Sequence, residues 1–181
     1  FPVGTVEVAT TEARMQELWR RHGHATAFDT ESHIISPREV QQLVPLIDSK
    51  VILGGLYRPT DGNARAWQAA ASLAEAAIAT GGADFYGDTA VTEIALRNGR
   101  IHSVMTSNGR IQCEQLLLCT NIWGSILADQ LGVTLPMLAC AHQYAITEPL
   151  PELAGATRYL AQPPLRHQGR SMYFRQGGAA W

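Results

Sequence analysis

The sequence predicts a mixed α/β fold, α+β in the way its helices and largely antiparallel strands follow one another, and three observations carry that reading. Strand-like and helix-like patterns alternate in the N-terminal part, from the alternation of Thr5–Thr10 into the helical spacing of Met15, Leu18 and Trp19. Farther on, Asn98-Gly99 and Asn108-Gly109 each stand between alternating runs (Val91, Ile94 and Leu96, then Ile101 and Val104, then Ile111 and Cys113), the signature of an antiparallel meander. The apolar run Gln115–Thr120 then meets Asn121-Ile122-Trp123-Gly124, and a buried strand that ends in small residues at a helix start is where α/β proteins place a ligand.

Taken in order, Thr5–Thr10 reads Thr-Val-Glu-Val-Ala-Thr and predicts a strand, after which Thr11 caps a helix that stops at Gly23. Ser36-Pro37-Arg38-Glu39 is a capping box with proline at the first helical position, so a short helix presents Val40 and Leu43 before Pro45 ends it. Val51–Tyr57 predicts an apolar strand interrupted by Gly54-Gly55, Pro59–Gly62 a turn, and Ala64–Thr80 an alanine-rich helix ending at Gly81-Gly82. The meander then leads into a buried strand, Leu116–Cys119. Trp123–Leu131 predicts a short helix closed by Gly132, Met137–Thr147 a long strand, and Ser171–Arg175 a last strand after a stretch dominated by proline and glycine.

With 181 residues, 46% of them hydrophobic and 17% charged, the chain can bury one good core, or a core and a small lobe, which excludes disordered and fibrous classes. A formal charge of -2 with scattered basic residues gives no electrostatic footprint for nucleic acid. No apolar run reaches about 18 residues and no charged-then-apolar leader is present, so neither a membrane span nor a signal peptide is expected. Cys113, Cys119 and Cys140, odd in number and in apolar settings, fit reduced buried thiols and a cytoplasmic location. A start at Phe1 and an end at Trp181 suggest a piece of something longer. His22-x-His24 is the nearest approach to a metal motif, but it has no carboxylate or thiol at useful spacing, so no metal site is expected and the pair reads as a basic helix C-terminus. No Gly-x-Ser-x-Gly elbow supports a hydrolase.

Gly4-Thr5-Val6-Glu7-Val8-Ala9-Thr10, Ser36-Pro37-Arg38-Glu39-Val40, Leu53-Gly54-Gly55-Leu56-Tyr57, Leu118-Cys119-Thr120-Asn121-Ile122-Trp123, His142-Gln143-Tyr144, Leu165-Arg166-His167-Gln168 and Met172-Tyr173-Phe174-Arg175 occur in an order that resembles one family over nearly the whole chain. The chain is similar to the FAD-dependent amine oxidoreductases of the D-amino-acid-oxidase group, above all dimethylglycine oxidase and the sarcosine and dimethylglycine dehydrogenases. The resemblance implies a two-part fold that alternates along the chain. Residues 1–60 and 136–181 would contribute to a mostly antiparallel substrate sheet, and residues 61–135, with the meander, to an FAD-binding α/β domain.

The implied reaction is oxidation of a secondary or tertiary amine, with hydride passing from the carbon next to nitrogen to the flavin. Tyr144 would hydrogen-bond the amine or carboxylate of a small-molecule amine substrate, and His142, two residues away on the same strand face, would set its proton inventory. The plainer alternative makes them a half-buried strand aromatic and a core histidine. A substrate carboxylate calls for a guanidinium fork, for which Arg175 with Tyr173 on one strand face, and Arg166, are candidates; solvated strand-edge charge is the alternative. Cys119, Thr120 and Asn121 would lie where the cofactor passes, with Val91 and Trp123 as further contacts or as core residues.

Two departures stand out. Relatives carry a small-small-Gly turn where this chain has Cys119-Thr120-Asn121, and several dehydrogenases place a histidine where Asn63 stands in Asp61-Gly62-Asn63-Ala64. No Gly-x-Gly-x-x-Gly occurs, and its glycines normally let backbone amides approach a pyrophosphate, so this chain alone is not expected to hold FAD tightly. A non-catalytic folded lobe, or one part of a split enzyme that self-associates or pairs with a separate flavin-binding segment, therefore stands beside the enzymatic reading.

Overall fold

In chain order the elements are β1 (Thr5–Ala9), α1 (Glu12–Ala27), β2 (His33–Ile35), α2 (Pro37–Leu43), β3 (Gly54–Arg58), α3 (Ala66–Ala79), β4 (Val91–Arg97), β5 (Arg100–Thr106), β6 (Gly109–Gln112), α4 (Gly124–Asp129), β7 (Leu165–His167) and β8 (Met172–Phe174). They come from a computed structural model that describes residues 1–181. The chain divides into two units, one formed by Phe1–Ala69 with Tyr144–Trp181, the other by Ala70–Gln143.

The first unit is built on a five-stranded sheet in the order β2-β3-β1-β7-β8. The central strand β1 runs antiparallel to β3 and parallel to β7, whereas β2 and β8 pair antiparallel at the two edges. Alternation along β1 sends Val6 and Val8 to one face, where they pack with Val40, Val44, Ile52 and Leu165. Ala9 goes to the other face and meets Leu56 and Leu18 of α1. Glu7 shares that second face and is only 6% exposed, a placement that costs free energy unless the carboxylate is paired. Arg21 supplies the partner, with Nη1 donating to Glu7 at 2.7 Å while its Nε donates to Glu17 at 2.9 Å; Glu17 also holds Arg20.

Several sequence expectations are met here. Thr11 caps α1 and Ser36 caps α2 with a reciprocal Glu39 bond. The helix does not stop at Gly23, however. A mid-helix glycine costs only about 1 kcal/mol, and α1 continues to Ala27, where the Phe28 N–H reaches the carbonyls of His24 and Ala25 and Asp29 takes the left-handed turn at φ +52°. Trp19, expected on the apolar stripe, is 56% exposed; Met15 and Leu18 alone turn inward. The strand expected from Val51 begins at Gly54, because Ser49–Val51 forms a 3₁₀ turn capped by Asp48. Gly55 serves close packing, since a Cβ there would lie 2.9 Å from Cγ2 of Val40 and 3.1 Å from the Glu7 carbonyl. The three-residue strands β2 and β7 were not legible as strands at all.

The second unit carries the expected meander, β4-β5-β6. Its first turn sits on Asn98 (φ +53°) and Gly99 (φ +75°), the left-handed pair that matches strand twist. The second turn is shifted by one residue onto Ser107-Asn108, with Gly109 (φ +125°) opening β6 opposite Thr106. The side chain of Gln130, just past α4, accepts from the Ile94 N–H at 2.9 Å and donates to the Thr92 carbonyl at 3.2 Å, tying the helix to β4.

Two predicted strands are absent. Leu116–Cys119 and Met137–Thr147 are irregular, and Leu117 is 86% exposed. Apolar alternation marks a capacity to pair, but a strand forms only where a neighbouring backbone takes its N–H and C=O groups along its length, and here only the Thr147 N–H, donating to the Trp181 carbonyl, finds one. The expectation of buried thiols also fails: all three cysteines are free, and Cys119 and Cys140 are exposed. No helix is long and apolar enough to cross a membrane.

Leu56→Ala is expected to destabilise the first unit by about 2–5 kcal/mol and Ser36→Ala by about 1 kcal/mol, both as lower urea midpoints at constant slope. Bonds from Arg20 and then Arg21 lower the Glu17 carboxyl from 4.5 to about 2, and the Ser36 hydroxyl and N–H lower that of Glu39. Their stabilisation is present above pH 4.5 and is lost as the pH falls through the folded values, so Glu17→Gln should flatten the dependence of the urea midpoint on pH between 4.5 and 2.

Candidate functional site

The turn that follows β3 is fixed from below by the start of the chain. Gly4 N–H donates to the Asp61 carbonyl at 2.9 Å and the Thr5 hydroxyl to the Asp61 carboxylate at 2.7 Å. Phe1 and Asn63 then bond each other twice, the Phe1 terminal ammonium donating to Asn63 O at 2.8 Å and the Asn63 N–H to Phe1 O at 2.9 Å. The approach is close enough that a Cβ on Gly62 would lie 2.2 Å from the Phe1 carbonyl oxygen, so only glycine fits between them.

This clamp sets the side chain of Asn63 beside the end of β8. Its Nδ2 donates to the Tyr173 hydroxyl at 3.3 Å, and its Oδ1 accepts from Nη1 of Arg175 at 3.5 Å. Tyr159 completes the group. Its carbonyl accepts from the Gly178 N–H at 2.7 Å, its ring stands 6.1 Å from that of Phe1, and the Arg175 guanidinium lies 6.0 Å from its centroid. Arg175 is half-buried and has no carboxylate within 4.0 Å, as is true also of Arg14, whereas Arg20, Arg21 and Arg58 have acidic partners. A half-buried guanidinium held by neutral groups, next to a phenol, can receive a small carboxylate through charge-assisted hydrogen bonds.

Two concavities of this unit offer less. One, of about 270 Å³, is lined by Arg20, Arg21, His24, Phe28 and Arg58, whose guanidiniums are already matched by Glu17, Glu7 and Asp61. The other, of about 290 Å³, is apolar, with Val8, Ile52, Leu165, Phe174 and Trp181 around His167. There the Arg170 N–H donates to Nδ1 of His167, which leaves Nε2 protonated to donate to Thr10, so the imidazole is satisfied internally.

Of the residues read from sequence, Tyr173 and Arg175 are thus brought together, though through Asn63 and not by a shared strand, since β8 ends at Phe174. Arg166 is exposed opposite Tyr173 in the ladder and makes no polar side-chain contact. The strand that would have set His142 and Tyr144 on one face does not form; His142 is exposed in the second unit and Tyr144 is 71% exposed in the first. His22, half of the His-x-His pair, bonds Ser32 through Nδ1 at 2.8 Å. Sequence reasoning missed Tyr159, which lies in irregular chain without any pattern, and registered Asn63 only as a departure.

In the second unit Asn121 takes φ +48° and turns the chain into the 3₁₀ segment Asn121–Trp123 that leads into α4. The Thr120 hydroxyl is buried there without a hydrogen-bond partner, and the Asn121 amide and Cys119 thiol are exposed. A buried hydroxyl left unpaired is costly unless something else bonds it. The Trp123 indole next in the chain is exposed, so an unpaired hydroxyl and a planar aromatic surface lie close in sequence here; Val91 opens β4.

A family model described as FAD dependent oxidoreductase matches residues 1–179. Mouse (Mus musculus) mitochondrial sarcosine dehydrogenase is 31% identical over 182 residues, 98% of this chain and 19% of the relative. Mouse mitochondrial dimethylglycine dehydrogenase is 30% identical over 173 residues, 96% of this chain and 20% of the relative. Mouse mitochondrial pyruvate dehydrogenase phosphatase regulatory subunit is 30% identical over 148 residues, 81% of this chain and 17% of the relative. The chain therefore spans about a fifth of the length of the curated relatives it matches. Among solved structures, L-proline dehydrogenase from P. horikoshii superposes with a TM-score of 0.79 at 20% identity over 99% of this chain and 47% of that one, so the fold is shared.

Gly62→Ala is expected to break the Phe1–Asn63 exchange and release the Asn63 side chain. Its amide resonances in a nitrogen–proton correlation spectrum should move to values typical of solvated asparagine; unchanged resonances would contradict the clamp.

Proposed function

Since the chain belongs to the FAD-dependent oxidoreductase family, we propose that it forms part of an enzyme that oxidises a small secondary or tertiary N-methyl amino acid, sarcosine or dimethylglycine being the simplest. The observation that carries the reading is the Arg175 guanidinium, which lacks a carboxylate partner and is held with the Tyr173 hydroxyl around Asn63. Curated relatives named for sarcosine and dimethylglycine support the substrate class.

FAD, when bound, supplies the acceptor for the hydride that leaves the carbon next to nitrogen. The work of this chain is positioning. Arg175 grips the substrate carboxylate and Tyr173 donates its hydroxyl proton to the same group, which fixes one end of a very short molecule and so restricts where its amine and reacting carbon lie. Tyr144 is assigned to hydrogen-bond the amine; its side chain is exposed and has no intramolecular hydrogen bond to break. Thr120, Asn121 and Cys119, with Trp123 and Val91, are assigned to hold part of FAD. Without the glycine loop that cradles a pyrophosphate, the chain by itself binds the cofactor weakly, the rest of the site coming from a longer protein or a partner polypeptide.

A second reading, a folded lobe without catalysis, draws on a specific observation: one relative of similar identity is named as a regulatory subunit. Titration calorimetry with dimethylglycine separates the two. The enzymatic reading expects saturable binding that Arg175→Gln weakens by about tenfold or more, the value of a lost charge-assisted bond. A folded chain that binds neither dimethylglycine nor FAD, the latter followed by quenching of flavin fluorescence, would favour the non-catalytic lobe.

A further inference from the structure

We propose that Asn63 sets the hydrogen-bond polarity of the Tyr173–Arg175 pair and thereby makes the site selective for an acceptor-only ligand, a carboxylate; the inference rests on the substrate-binding reading above. The argument is one of donors and acceptors. A guanidinium has no acceptor, so the Asn63 group facing Arg175 must be the amide oxygen. The nitrogen then necessarily faces Tyr173, and since an amide NH₂ only donates, the phenol oxygen is obliged to accept. A phenol that accepts from one side keeps its single proton for another partner. Arg175 likewise spends one N–H on Oδ1 and retains the others, with no carboxylate to claim them. Both residues therefore face a ligand as donors, and an uncharged amide, which brings donors of its own, is disfavoured at the same place.

The backbone of Asn63 is what makes this polarity durable. Its N–H and C=O are both taken by Phe1, and Gly62 leaves no room for the turn to shift. Replacing the side chain thus changes the donor and acceptor pattern and leaves the clamp in place. An aspartate is isosteric but acceptor-only. It would draw in the Tyr173 proton and the Arg175 N–H together, turn the phenol lone pairs outward and put a negative charge beside the incoming carboxylate. Asn63 is a positioning residue in this account, acting on the ligand through its two neighbours.

The test compares dimethylglycine with N,N-dimethylglycinamide, which has the same amine and no carboxylate, by titration calorimetry on the 181-residue chain. The wild type should prefer the carboxylate. Asn63→Asp should reduce the ratio of the two affinities by about tenfold or more, and Asn63→Leu by about threefold to tenfold, the range of one or two lost polar contacts. A merely structural role would weaken both ligands alike and leave the ratio unmoved. Asn63→Asp with wild-type preference, while Arg175→Gln still loses the carboxylate, overturns the polarity inference and spares the binding reading. Arg175→Gln without effect, or no saturable binding of dimethylglycine to the wild type, overturns both.

Discussion

The pair of hydrogen bonds between Phe1, through its terminal ammonium and its carbonyl, and the backbone of Asn63 is the constraint on which the rest of the site depends. Strand β1 and strand β3 are antiparallel neighbours, so the approach to one and the exit from the other lie side by side, and Thr5 pairs with Arg58 at that end of the ladder. Gly4, at φ +73° and under the Tyr57 ring, lets the incoming chain fold against the outgoing turn. Asp61 then ties the turn to Gly4 and Thr5, and Gly62 lets Phe1 close on Asn63. The outcome is that one amide side chain, placed by backbone geometry, reaches groups 110 and 112 residues away at the edge strand β8.

Charge pairing sets this place apart from the ion-pair network of Glu7, Glu17, Arg20 and Arg21. On the α1 side, Glu7 is buried and Arg21 compensates it, with Glu17 and Arg20 extending the chain of charges, which suits a structural role; Arg14 of the same helix, also half-buried, has no acidic partner. At the β8 end the guanidinium of Arg175 rests against an aromatic ring and an amide, both neutral. Beside the Tyr173 hydroxyl, it is free to take a counter-ion from outside. The convergence of Arg175 and the Tyr173 hydroxyl on Asn63, more than the shape of any cavity, marks the candidate site.

Much of the fold was legible because its signals are local. The Ser36–Glu39 capping box, the Asn98-Gly99 turn and the alternation of Thr5–Ala9 are each satisfied by nearby residues, and all three formed as their chemistry requires. Leu116–Cys119 and Met137–Thr147 carry an equally good strand pattern, yet pairing depends on a backbone neighbour that their own residues do not specify. Strands of three residues, β2 and β7, are too short to show a period. Within the site, the types of Tyr173 and Arg175 announced their chemistry, but their meeting could not be read from β8, since it passes through a turn far away in sequence. Asn63 gave no signal beyond being different, because what matters about it is which way its amide faces, and that is set by tertiary contacts.

The family assignment and the geometry bear on different links of the argument. Family membership is the ground for the proposed flavin chemistry; the arrangement of Asn63, Tyr173 and Arg175 is the ground for the proposed recognition, and it lies wholly within the first unit. The most direct measurement is a crystal structure of the chain grown with saturating dimethylglycine. The account predicts the ligand carboxylate within about 3 Å of both the Arg175 guanidinium and the Tyr173 hydroxyl, with the Asn63 bonds retained. A carboxylate bound elsewhere, or Arg175 turned away to another partner while the ligand is ordered, would contradict it.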